Sequence, residues 1–102
     1  MNFKNVHCFC TREKTVKGYN SRTILVRYNS KAVKILEGIG DRLGLARSLR
    51  GVGLGHSNIG NFDEALINHN RSFAKFKEVD NQYGMAISFN SIGNIYLFRG
   101  NY

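Results

Sequence analysis

Hydrophobic residues recur at intervals of three, four and seven along four stretches of the chain. This spacing forms one face of an α-helix, and it predicts helices over 22–39, 42–58, 62–79 and 82–98 without any β-strand. Glycine, asparagine and aspartate separate the stretches, as is typical of helix ends. The side of the second helix predicted to be buried consists of Ala46, Leu49, Val52, Gly53 and His56.

The second half of the chain repeats part of the first at an offset of 40 residues. A fixed period in this range is typical of repeat proteins, in which each unit is a small group of packed helices. We therefore expect antiparallel helix pairs in which second (B) and first (A) members alternate as B, A, B, A. The residues that coincide are Gly44 with Gly84, Ala46 with Ala86, Ser48 with Ser88, Gly53 with Gly93, and Gly60 with Gly100.

The same offset assigns an inward side to the fourth helix, made of Ala86, Phe89, Ile92, Gly93 and Tyr96. Tyr102 stands in the position of Phe62, the first residue of a covering helix. Without that helix, Phe89, Tyr96, Leu97 and Phe98 contribute to an exposed apolar patch. A repeat array needs roughly three units for independent stability. We therefore expect either a fragment of a longer array or a chain that self-associates through its C-terminal helix.

Residues 1–20 follow the helical pattern only loosely, and they predict either a degenerate helix or a disordered segment. They contain His7, Cys8 and Cys10, but a structural zinc site needs four ligands, usually with a second pair elsewhere. We therefore expect no metal and no cofactor. The first residues lack the long apolar stretch of a signal peptide, so the expected location is cytoplasmic, with reduced thiols.

The net charge of +8 is unevenly distributed, because the surplus of lysine and arginine lies in residues 1–50. No uncharged apolar stretch is long enough to cross a bilayer, so the sequence predicts no membrane span. The basic first half permits an anionic partner. One open alternative is therefore an RNA- or polyanion-binding helical protein that uses Lys31, Lys34, Arg42, Arg47 and Arg50.

The repeated residues resemble a tetratricopeptide repeat of the longer, roughly forty-residue kind. The string that carries the resemblance best runs from Gly84 and Ala86 through Phe89, Ile92, Gly93 and Tyr96 to Gly100, Asn101 and Tyr102. The resemblance covers residues 20–102 and is specific over 40–102, whereas Arg22 and Leu25 depart from the family's pattern. It implies an all-α fold, a right-handed α-solenoid of antiparallel helix pairs.

The resemblance also implies a binding protein without catalytic activity. In such arrays the first helix of each pair lines a concave groove that holds a peptide or a partner helix. Arginine donors and asparagine amides can bind a peptide backbone and carboxylates there, although ordinary solvated arginines are the alternative explanation. The groove residues implied are Arg47, Arg50, Leu54, Ile87, Asn90 and Asn94.

His56 and His69 raise a third hypothesis, an enzyme with a pair of acid–base histidines. Both histidines lie on sides of their helices that are predicted to be buried. No carboxylate, serine or cysteine is obviously placed to work with them. We therefore interpret them as neutral imidazoles that are packed and hydrogen-bonded within the helix pair.

Overall fold

The computed structural model describes residues 21–100, and this part of the chain is α-helical apart from its turns. The helices are α1 (Ser21–Ile39), α2 (Arg42–Asn58), α3 (Phe62–Glu78) and α4 (Gln82–Phe98). Their ends lie within one residue of the predicted ranges, and the described residues contain no strand. Segment 1–20, for which a degenerate helix or a disordered segment was expected, lies outside the described part.

Each helix packs against the next one in the chain, and α2 also contacts α4. Only two or three residues connect consecutive helices. Connections this short make neighbouring helices antiparallel. The fold is therefore all-α and built from packed antiparallel helices. In the order B, A, B, A, α1 and α3 are the B helices and α2 and α4 the A helices, so α1 with α2 and α3 with α4 are two equivalent B–A pairs.

The two helix pairs have the same N-terminal caps. The Asp41 side chain accepts a hydrogen bond from the Gly44 N–H at 2.9 Å at the start of α2. The Asn81 side chain accepts one from the Gly84 N–H at 2.8 Å at the start of α4. Each cap satisfies one of the N–H groups that a helix start leaves unpaired. The sequence repeat is thus also a repeat of local structure.

The turns before these caps are also alike. Gly40 has φ = 74° and Asp80, at the equivalent place, has φ = 53°. Left-handed backbone at this point lets the chain reverse and lets the next N–H return to the end of the helix. The Asp41 N–H donates to Leu36 O at 3.2 Å, and the Asn81 N–H donates to Phe76 O at 2.9 Å.

A close contact between the two helices of each pair recurs at the same offset. A Cβ placed on Gly44 would lie 3.2 Å from Leu36 Cδ2, and a Cβ placed on Gly84 would meet the ring of Phe76. In both pairs a glycine in the first turn of the A helix therefore lets a large apolar side chain of the B helix pack directly against the backbone.

The core lies around α2, because α2 has a helix packed on either side. Ala46 and Leu49 are fully buried, and Val52 and Gly53 are buried as predicted, while His56 is half-buried. One apolar cluster joins α1 and α2. It consists of Ala32, Val33, Leu36, Leu45, Leu49 and Val52.

The side of α4 predicted to face inward is exposed within residues 21–100, as expected where no covering helix is present. Ile92 is half-buried, but Ala86, Phe89, Gly93 and Tyr96 are exposed. The buried residues of α4 are instead Gly84, Ser88 and Ile95, which lie on the side that packs against α3. Within residues 21–100 no further helix covers the opposite side, so Gly53 and Gly93 have different surroundings despite their equivalent positions.

Candidate functional site

One side of α2 is covered by neither of its neighbouring helices. Asn29 of α1 lies against Gly51, and His69 of α3 lies against Gly53, so the glycines mark the two covered sides. Arg47, Arg50 and Leu54, spaced three and four residues apart, form a line beside them. Arg47 is exposed, and both Arg50 and Leu54 are half-buried.

On α4, the residues equivalent to this line also lie beside the side that packs against α3. Gly84 and Ile95 mark the covered side of α4, where both are buried. Ile87 is half-buried, and Asn90 and Asn94 are exposed. The spacing of three and four residues again places them in one line along the helix.

These two lines belong to one surface, which we call the α2–α4 face. At the 40-residue offset, Arg47 is equivalent to Ile87, Arg50 to Asn90, and Leu54 to Asn94. Because α2 and α4 contact each other, the two lines lie on neighbouring helices. The α2–α4 face consists of Arg47, Arg50, Leu54, Ile87, Asn90 and Asn94.

The chemistry of the α2–α4 face differs between its two helices. Arg47 and Arg50 supply guanidinium donors on α2, whereas Asn90 and Asn94 supply neutral amides that both donate and accept on α4. Such a combination can bind carboxylates at one edge and peptide backbone at the other.

The five basic residues proposed for a polyanion are divided between different surfaces. Lys31 and Lys34 are exposed on α1, whose opposite side packs its apolar residues onto α2. Arg47 and Arg50 lie on the uncovered side of α2, beyond that interface. Arg42 forms an ion pair of 3.8 Å with Glu78. The five cations therefore do not form a single patch.

A depression of about 500 Å³ lies between the end of α1, the start of α2 and the last turns of α3. Three cations line it. Arg71 lies 3.3 Å from Glu37, whereas Lys75, at 3.1 Å, and Arg42, at 3.8 Å, share Glu78. Two carboxylates thus face three cations in exposed pairs, so the depression keeps a small surplus of positive charge.

His69 is buried between α2 and α3 with 1% of its surface exposed. Burial, and then the nearby charge of Arg50, lower the pKa of His69 from 6.5 to about 4. The imidazole is therefore neutral at physiological pH, as expected. The hydrogen bonds expected for it are wrong, however, because neither ring nitrogen has a partner within residues 21–100. The ring is held by packing against Gly53.

His56 is half-buried, and its Nδ1 lies 3.5 Å from the Asn61 amide nitrogen. No group of three or more histidine, cysteine, aspartate or glutamate side chains that could hold a metal occurs in the described part of the chain. The ligand candidates His7, Cys8 and Cys10 lie outside it.

The exposed apolar patch expected at the C-terminal helix is confirmed. Phe89 is 63% exposed, Leu97 56% and Phe98 73%, and Tyr96 is also exposed. Two of these rings touch α3, since Phe89 lies 4.6 Å from Phe73 and Phe98 lies 6.5 Å from Phe62 between ring centroids.

Among the described residues, none of the helices is both long enough and apolar enough to cross a bilayer. The 40-residue repeat of the sequence is accompanied by a recurrence of caps, turns and helix contacts. No family model matches the sequence, and a comparison with curated proteins gives no match either.

Proposed function

We propose that the protein is a non-enzymatic interaction module that binds a peptide or a partner helix along the α2–α4 face. The observation that carries the proposal is the common placement of six residues on two helices in contact. On both helices these residues occupy the side that the packed B helices leave uncovered. Together the six residues provide charged, amide and apolar side chains.

The proposal includes a tetratricopeptide-like right-handed α-solenoid, in which α2 and α4 line the concave side. Its support is the repetition of the helix pair: the Leu36–Gly44 contact recurs as Phe76–Gly84, and the caps at Asp41 and Asn81 are alike. A regular repeat of one helix pair generates a curved stack. The cytoplasmic location expected from the sequence is part of the same proposal.

The chemistry of the face indicates the kind of ligand. Arg47 and Arg50 favour carboxylates, which accept charge-assisted hydrogen bonds from guanidinium groups. Asn90 and Asn94, one helical turn apart, can bind the backbone of an extended segment on both its donors and its acceptors. We therefore expect a peptide with acidic residues near α2 and few sequence requirements near α4.

A phage-displayed library of random peptides, selected on the whole protein, provides the probe. The selected consensus peptide is expected to be acidic and to bind Arg47→Ala and Asn94→Ala variants about tenfold more weakly, a loss typical of one removed charged or buried contact. Lys34→Ala is the matched control, since Lys34 is exposed on α1 away from the face. Equal losses for Lys34→Ala and Arg47→Ala would contradict the proposal.

RNA binding is the competing outcome, and salt dependence distinguishes it. A labelled oligouridine should bind the protein weakly, with no preference for Arg47 over Lys34. Tight binding that falls by several decades as salt increases would show counterion release from several phosphate contacts. That result would replace the peptide proposal with the polyanion alternative.

A further inference from the structure

The exposed side of α4 is an apolar strip that carries no charge. We call it the α4 strip, and it consists of Ala86, Phe89, Gly93, Tyr96 and Leu97. The whole of α4 has no aspartate, glutamate, lysine or arginine, although the chain as a whole has a net charge of +8. A contiguous exposed apolar strip often marks a site of protein interaction. Depletion of charge together with exposed aromatic residues is also typical of the centre of a protein interface.

The equivalent side of α2 shows what such a strip binds. The 40-residue offset relates Ala86 to Ala46, Phe89 to Leu49, and Gly93 to Gly53. On α2 this side is covered by α3. Leu49 is 0% exposed there, whereas Phe89 is 63% exposed on α4. The α4 strip therefore continues, one repeat further along, the interface already formed between α2 and α3.

Two residues of α3 contact this side of α2, and a third residue of α3 is buried in line with them. The His69 ring fills the notch above Gly53, where an added Cβ would lie 2.8 Å from it. The Ser72 hydroxyl donates a hydrogen bond of 2.7 Å to Ala46 O. Ala65 is fully buried. One face of α3 thus carries a small residue at position i, a ring at i+4 and a second small residue at i+7, which are Ala65, His69 and Ser72.

The α4 strip has the same notch, but it is open. No atom lies within 4 Å of a Cβ placed on Gly93, and Ala86 is exposed beside it. We propose that the α4 strip is the docking surface for an amphipathic helix of a partner protein, seated on α4 as α3 is seated on α2. The contacting face of that helix carries a small residue, a flat ring over Gly93, and a second small residue at i, i+4 and i+7.

Charge complementarity adds one requirement to the partner helix. Arg71 of α3 pairs with Glu37 of α1 at 3.3 Å. The residue equivalent to Glu37 one repeat later is Lys77, which is exposed on α3. A helix seated on the α4 strip would bring its own counterpart of Arg71 next to Lys77. An acidic residue, two positions after the ring, is therefore favoured there.

The centre of the α4 strip, at Phe89 and Gly93, lies on a different side of α4 from Asn94. Asn90, four residues after Ala86, lies at the edge between the α4 strip and the α2–α4 face. The inference therefore goes beyond the proposed function and does not depend on it. Asn94→Ala should leave docking at the α4 strip unchanged, so failure of one proposal can be told from failure of the other.

Synthetic peptides based on residues 60–80 supply the probe. One carries the α3 sequence with Arg71→Glu, and the second keeps Arg71. Fluorescence anisotropy with the full chain should show saturable binding of the Arg71→Glu peptide and several-fold weaker binding of the other. Lys77→Glu in the protein should reverse this preference, a result that unspecific apolar adsorption would not give. Gly93→Leu fills the notch on an exposed helix side and should weaken binding about tenfold.

An isolated helical peptide is only marginally folded, so trans binding is weak even when the surface fits. A second measurement uses the Arg71→Glu form of residues 61–80 fused directly after Gly100, which places the added helix in repeat register. The fusion is expected to raise Tm by about 4–8 °C or more, the shift given by each 1 kcal/mol in a domain of this size. In the Gly93→Leu background, the fused chain should show no such rise over the unfused Gly93→Leu chain.

Three results would overturn the inference. The first is neither saturable peptide binding nor a rise in Tm of the fused chain. The second is peptide binding, or a rise in Tm on fusion, that is as large in the Gly93→Leu variant as with Gly93. The third is self-association of the unmodified chain in sedimentation equilibrium that Gly93→Leu abolishes, because the occupant of the α4 strip would then be a second copy of the chain.

Discussion

The imidazole of His69 on α3 occupies the space that a side chain at Gly53 on α2 would need. A Cβ added to Gly53 would lie 2.8 Å from both Cε1 and Nε2 of the ring. Glycine within a helix costs up to about 1 kcal/mol relative to alanine. Here that cost is offset by the close approach of two helices, which buries His69 completely enough to keep it neutral.

This relationship predicts opposite effects for two equivalent glycines. Gly53→Ala should destabilise the protein by roughly 1–2 kcal/mol, because the buried ring has no room to move away. Gly93→Ala should stabilise it by up to about 1 kcal/mol, since only helix propensity acts where no atom lies within 4 Å. Urea unfolding followed by circular dichroism measures both, and effects of the same sign would contradict the assigned packing.

His69 also predicts a pH dependence of stability. Its pKa is about 4 in the folded protein, below the ordinary value of 6.5 that applies to the unfolded chain, so the unfolded state binds the proton more readily. The stabilisation is therefore fully present above pH 6.5 and is lost as pH falls towards 4, by about 3 kcal/mol in total. Chemical denaturation at several pH values gives the curve.

The matched control for this curve is His69→Asn, which introduces the residue that α1 has at the equivalent position, Asn29. Carboxylates titrate in both proteins, so the difference between their unfolding free energies isolates the histidine. That difference should change between pH 7 and 4 in favour of the variant. A constant difference over this range would show that His69 is protonated equally in both states.

Asp80 predicts a local gain in stability. Its φ of 53° is left-handed, a conformation that costs a residue with a side chain roughly 1–2 kcal/mol, although aspartate tolerates it better than most. Asp80→Gly should therefore raise the unfolding free energy by up to about 1 kcal/mol, and Tm should rise accordingly. Gly40→Ala at the equivalent turn, where φ is 74°, should lower it by a similar amount. A loss of stability in Asp80→Gly would mean that its side chain contributes more than its backbone costs.

Local signals in the amino-acid sequence are sufficient to predict the four helices and their ends. Asp41 caps α2, and glycines such as Gly40 and Gly60 allow the left-handed turns. These signals act over a few residues, which is why the predicted bounds fall so close to the observed ones. The period of 40 residues likewise predicted which positions in α2 and α4 are equivalent, including the six residues of the α2–α4 face.

Which of those equivalent positions are buried depends on tertiary packing, and the sequence does not predict it. Gly53 and Gly93 are alike in sequence, yet one meets His69 and the other meets no atom, because burial depends on a helix supplied from elsewhere. The same reason separates His69, which is enclosed by α2, from the half-buried His56. Lys31 and Lys34 likewise lie on a different surface from Arg47 and Arg50. A surplus of charge in the sequence does not specify the side of the molecule on which each cation lies.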